Sequence, residues 1–255
     1  MKSTTWGPVQ LSDRRCVQWR VGSVGLWARA FDDEWEIASS YDTSDLNSQD
    51  CPEDVAWTRF VTVANDGLFT QPALPDRPVV IRPQSPIVIL PGRWGRFYFS
   101  VPLWVRFVSQ PAGRSATMVE IPSQNLSSTW FGDMATGELC YAIDSRLLRR
   151  QPSMDANDAF GRCELEVRNG SRERLQFERI SVHVEHMHLF ETEDKFWTNQ
   201  LRVVFKGADQ VSQLTFLPHP PSVAGEARIV CQPRVALEKN ILKRSFNLIR
   251  EITGI

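Results

Sequence analysis

The stretch RFYFSVPLWVRF, residues 96–107, carries an apolar side chain at every odd position: Phe97, Phe99, Val101, Leu103, Val105 and Phe107. Successive side chains of a β-strand point to opposite faces, so this repeat predicts a strand with one buried face. The even positions, Arg96, Tyr98, Ser100, Pro102, Trp104 and Arg106, are mixed, which suits a face turned to water or to a second layer. Proline has no N–H to give to a ladder, so Pro102 predicts an edge strand or a bulge at that point.

The chain on either side of this spine reads the same way. Upstream, residues 16–21, 24–31 and 34–38 are short, rich in Val and Trp, and separated by Gly22-Ser23 and Asp32-Asp33, the pattern of an opening meander. Residues 39–54 then turn polar and acidic without apolar periodicity and are expected to form a loop. Residues 57–63 alternate again, and Asn65-Asp66-Gly67 supplies a turn. Prolines crowd residues 72–86, placing a domain boundary near 74–77.

Downstream, residues 116–121, 128–131 and 138–143 are further short strands. Cys163, Leu165 and Val167 alternate with charged residues up to Asn169-Gly170, which reads as a hairpin returning through Leu175 and Phe177. The apolar parity then changes between Phe177 and Ile180, as a β-bulge near Glu178-Arg179 would produce. Residues 197–205 and 211–217 form a last pair. Residues 238–252 alone show helical spacing, with Ile241, Leu242, Phe246 and Ile249 on one stripe. The whole predicts an all-β fold, an antiparallel two-sheet sandwich or partly open barrel, closed by a C-terminal α-helix. Three regions are expected: a meander over 1–75, a main sandwich over 76–222, and a linker with the helix over 223–255.

Lys and Arg total 29 against 30 acidic residues, a net charge of −1. Such a balance produces no field that gathers a polyanion, so nucleic-acid binding is not expected. The five cysteines are far apart, with no CxxC spacing, and read as small buried hydrophobes of a reducing cytoplasm. No apolar stretch is long enough to cross a bilayer and the first residues lack a secretory core, so a soluble cytoplasmic protein is expected.

Two segments around the spine resemble a known family. The run IRPQSPIVILPGRWGRFYFSVPLWV, residues 81–105, is similar to its I-x-P-x-x-P segment leading into an aromatic strand, and Phe131-Gly132 through Gly137 to Tyr141 is similar to its Gly-rich stretch ending in C-x-Y. The family is the prokaryotic one catalogued as domain of unknown function 432. The resemblance runs over residues 79–221, leaves the Trp-rich N-terminal region outside it, and implies no activity.

Chemistry is concentrated in SVHVEHMHLFETE, residues 181–193. On a strand, His186 and His188 share a face, and with Glu193 they resemble the first metal motif of cupin barrels, a ligand set for zinc or iron. The glycines that bracket that motif are absent. No nucleophile elbow, HExxH or phosphate loop is present. Nine tryptophans offer another kind of site: Trp94 and Trp104, with Tyr98, are candidates for an exposed aromatic face. The function expected from these features is non-catalytic binding or assembly without a cofactor, with another protein or a second copy as partner, through the aromatic face or the C-terminal helix. The alternative is a metal-dependent enzyme using His186, His188 and Glu193.

Overall fold

The computed structural model describes residues 5–12, 14–42, 51–61, 67–110, 115–132, 134–135, 137–150, 158–193, 195–207 and 212–236. The strands run in the order β1 (Gly7–Pro8), β2 (Val17–Val21), β3 (Val24–Phe31), β4 (Glu34–Ser40), β5 (Trp57–Val61) and β6 (Gly67–Ala73). Next come β7 (Val79–Pro83), β8 (Ile87–Ile89), β9 (Trp94–Pro102), β10 (Trp104–Gln110), β11 (Ala116–Pro122), β12 (Ser127–Phe131) and β13 (Glu138–Leu147). The series ends with β14 (Phe160–Asn169), β15 (Leu175–Phe177), β16 (Ile180–Val182), β17 (Leu189–Glu191), β18 (Phe196–Thr198), β19 (Leu201–Phe205), β20 (Gln213–Phe216) and β21 (Arg228–Cys231). Single 3₁₀ turns, Val184–His186 and Ser222–Ala224, are the helical elements among the described residues. The fold is all-β. The expected C-terminal helix with Ile241, Leu242, Phe246 and Ile249 lies outside the described residues, as does the 65–66 turn. Among the described residues no helix is long and apolar enough to cross a membrane.

The chain forms two compact units, Met1–Ala73 with Pro102–Asn125, and Leu74–Val101 with Leu126–Ile255. In the first, the three segments expected as a meander pair as β2-β3-β4 and β5 extends that sheet beyond β4, while a second sheet runs β1-β6-β10-β11. Val21 pairs with Val24 across a two-residue turn in which Gly22 takes a φ of 61°, a conformation that costs glycine nothing. Glu36 is buried on β4 and sits in register between Arg29 of β3 and Arg59 of β5, so its charge is neutralised from both neighbouring strands.

The spine pattern holds, since Phe97, Phe99, Val101, Leu103, Val105 and Phe107 are all buried. Pro102 marks more than a bulge. The strand ends there, and β9 and β10 enter different sheets on either side of Leu103. β9 pairs with β14 in the second unit, while β10 runs between β6 and β11 in the first.

The second unit departs from the expected antiparallel sandwich. Its sheets are β12-β13-β7-β16, β20-β19-β14-β18-β17-β21 with β9 attached to β14, and the pair β15-β8. Strand β7 runs parallel to β13, and β14 runs parallel to both β18 and β19. A parallel neighbour needs a long crossover, which residues 170–195 provide, so the Asn169-Gly170 hairpin does not form. β15 pairs instead with β8. Asn169 is fully buried, and its side-chain amide donates to the carbonyls of Ile89 and Glu173 while its Oδ1 accepts from the N–H and hydroxyl of Ser171. The parity change between Phe177 and Ile180 is likewise a change of sheet, because β15 and β16 join different partners.

The cysteine reading needs one correction. Cys140, Cys163 and Cys231 are free and buried as expected, but Cys16 and Cys51 are bridged, with Cα atoms 5.7 Å apart. A bridge between residues this distant in sequence restricts the unfolded chain.

Two outcomes are expected. Phe99→Ala should cost about 3–5 kcal/mol of unfolding free energy in urea denaturation, as deletion of a fully buried aromatic does. Alkylation of the unfolded protein should label three cysteines without reductant and all five after reduction, as read by mass spectrometry.

Candidate functional site

The sheet β12-β13-β7-β16 has two different faces. Register places Tyr141, Val79 and Val182 abreast, then Ile81 beside Ile180, so the odd positions of β7 carry an apolar layer. On the other face Ala142, Val80 and Ser181 lie abreast. One pleat back from that row come Cys140 of β13 and His183, just past β16, with Glu138 one pleat further. Ser181 and Cys140 are wholly buried.

The polar groups on this face contact one another. The Ser181 hydroxyl donates to Glu138 Oε1 at 3.0 Å, and Cys140 Sγ lies 3.6 Å from the Ser181 hydroxyl. His183 sits between two carboxylates: its Nδ1 is 2.8 Å from Glu185 Oε1 and its Nε2 is 3.2 Å from Glu138 Oε1, the latter an ion pair outside hydrogen-bond alignment. Past β16 the chain leaves the extended conformation for the 3₁₀ turn Val184–His186, closed by the Met187 N–H on the Val184 carbonyl at 3.0 Å. That turn brings His186 Nε2 to 3.8 Å from Glu185 Oε1. The N–H groups of Arg234 and Val235 hold the Glu185 carbonyl, and His186 Nδ1 is 2.9 Å from the Val235 carbonyl. A carbonyl accepts only, so Nδ1 of His186 carries a proton and donates to it, and Nε2 is the ring nitrogen turned toward Glu185.

The ligand atoms of His183, Glu185 and His186 all lie within 4.8 Å of one another. Glu185 is only 7% exposed, and its Oε2 has no hydrogen-bond partner among the described residues. An unpaired buried carboxylate oxygen is costly, and a bound ion or an ordered water is the kind of partner that relieves it.

Burial pulls the His183 imidazolium down, but the Glu138 and Glu185 carboxylates on either side outweigh it and raise the group to about 9. Burial raises Glu138, and the His183 and Ser181 contacts overcome this to leave it below the usual carboxylate range. Burial pushes the Cys140 thiol up to about 11, so it is held protonated rather than poised as a nucleophile.

Of the residues expected to hold a metal, His186 is in this group, whereas His188 and Glu193 stand outside it. The His188 ring lies beside Phe190, 5.9 Å between centroids, the His188 backbone N–H donates to Asn199 Oδ1, and Glu193 is exposed. The 3₁₀ turn removes the extended geometry on which a shared face of His186 and His188 depended. His183, Glu185 and Glu138 were missed. The alternation Ser181, His183, Glu185 is visible in the sequence, but nothing local points to Glu138. Among the aromatic candidates, Trp94 is 58% exposed while Tyr98 and Trp104 are half-buried, and Trp94 and Trp104 belong to different units.

The sign of the pH dependence follows from the shifts. The raised His183 contributes stability that is complete below its ordinary value of 6.5 and is lost as pH climbs through about 9. The lowered Glu138 contributes above its ordinary 4.5 and is lost on acidification. Chemical denaturation from pH 6.5 to 9.5 should show the metal-free protein losing on the order of 1–3 kcal/mol. In His183→Gln that decline should flatten; an unchanged slope would remove the imidazolium from the account.

The family model described as a protein of unknown function, DUF432, matches residues 5–250. The match takes in the Trp-rich N-terminal region, which the resemblance over 79–221 had left out. No curated protein and no solved structure matches the chain.

Proposed function

Since the chain belongs to the DUF432 family of proteins of unknown function, its own residues must supply the functional reading, and we propose a divalent-metal-binding β protein that holds a zinc- or iron-class ion between His183, Glu185 and His186. The observation that carries this reading is the unpartnered, buried Glu185 Oε2 beside two imidazoles whose nitrogens converge on the same carboxylate. Two neutral imidazoles and a carboxylate are a ligand set for such ions, which bind them at about 2.1 Å. The Val235 carbonyl supports the reading further, since an acceptor on the far nitrogen of a ligating histidine orients the ring and raises its basicity. Glu138 stands close enough to join as a fourth ligand, and the displaced His183 proton leaves to solvent. Metal and proton compete for the same lone pair on His183, so affinity rises with pH.

Metal analysis of the purified protein should find about one ion per chain after loading with zinc or iron(II) and dialysis. His183→Ala and His186→Ala should lose it while keeping β-sheet circular dichroism, and His188→Ala should retain it. Loss in His188→Ala with retention in the other two would overturn the assignment.

A second reading, non-catalytic docking of a protein partner, is supported by the run Val88, Leu90 and Trp94, which are 51%, 54% and 58% exposed within seven residues of the second unit. A row of this kind is a common anchor for protein contact. If the partner is a second copy, sedimentation should show concentration-dependent association that Trp94→Glu abolishes; a wild-type protein that stays monomeric sinks that version.

A further inference from the structure

The same sheet face that carries Cys140 and His183 at one end carries arginines at the other. One pleat forward of Val80, β7 presents Arg82, and register sets Arg146 of β13 beside it. Ile180 pairs with Ile81, and continuing that antiparallel register by one residue puts Arg179 opposite Arg82 on the other side. Three guanidinium groups thus stand abreast on neighbouring strands, where like charges repel. None of them forms an ion pair among the described residues. Arg179 instead lies over the Phe131 ring, 5.4 Å from its centroid.

An open cleft of about 300 Å³ lies at this end of the sheet, lined by Arg82, Pro83, Gln84, Ser85, Pro86, Glu178 and Arg179. The strand stops at Pro83, and Pro83 and Pro86 fix the backbone on either side of the bend at Gln84 and Ser85. Arg82 is exposed and Arg179 half-buried, and both line the cleft. Glu178 is the acidic side chain in the lining and offsets only one of the positive charges.

We infer that this cleft binds the phosphate group of a small molecule, with Arg82 and Arg179 as the paired forks and the Ser85 hydroxyl and Gln84 amide as neutral donors. A guanidinium fork matches two oxygens of one phosphate, and two such forks suit a dianion better than a lone carboxylate. The volume fits a small ligand, and Arg146 adds field without lining the cleft. The inference stands apart from the metal reading, whose residues lie on the far side of Val80.

Calorimetric titration at constant ionic strength, with inorganic pyrophosphate as the probe and citrate as the carboxylate control, tests it. Saturable pyrophosphate binding tighter than citrate is expected, weakened about tenfold or more in Arg82→Gln and only partly recovered in Arg82→Lys. Flotation with phosphatidylcholine vesicles containing phosphatidic acid separates a lipid headgroup from a free phosphate: Arg82-dependent binding to vesicles alone assigns the phosphate to a lipid. No saturable binding to either probe, or equal binding by wild type and Arg82→Gln, overturns the site.

Discussion

Alternation of buried side chains along the 96–107 stretch is the constraint from which both units take their shape. Each strand residue has only two faces available, so six consecutive odd positions committed to the interior leave the backbone no freedom of register. The repeat runs unbroken through Pro102, although the strand does not. Apolar phase and hydrogen-bond ladder are therefore separate matters. The phase says which side chains are inside, while the proline determines where one ladder must stop and another begin.

That separation explains how much of the fold was legible. Period-2 patterns identified the spine, the meander of β2 to β4 and the β19–β20 pair, because those depend on local phase and short connections. Pairing between distant segments was not legible. Asn169-Gly170 has the composition of a tight hairpin, yet the same asparagine serves a buried turn that ties together the Ile89 and Glu173 carbonyls. Local chemistry is identical in the two cases, and only the parallel neighbours of β14 decide between them. The parity slip at Glu178-Arg179 has the same ambiguity: a bulge and a change of sheet leave one signature in sequence.

The candidate site was half visible for a related reason. A strand-based reading of the histidine cluster expects side chains two apart to converge, but a single 3₁₀ turn brings His183, Glu185 and His186 together instead. The remaining partners come from far along the chain. Glu138 is placed by the β13–β7 pairing and the Val235 carbonyl by the 234–235 segment, and neither leaves a mark near the histidines.

The even face of β7 is divided by its own pleat. His183 stands level with Pro78, and Arg82 is four residues further along, about 13 Å at strand rise. Between them lies Val80, which packs with Phe131 and Cys140 in a small buried apolar cluster. A separation of that size is several times a hydrogen-bond length, so a group held at one end does not touch a group held at the other. The apolar cluster also bars a continuous polar path between the two ends. Direct bridging by one small ligand is therefore not what this geometry favours. The strand period that buries Val80 sets the two ends apart along β7, while the Arg179 guanidinium over Phe131 leaves both resting on the same apolar cluster.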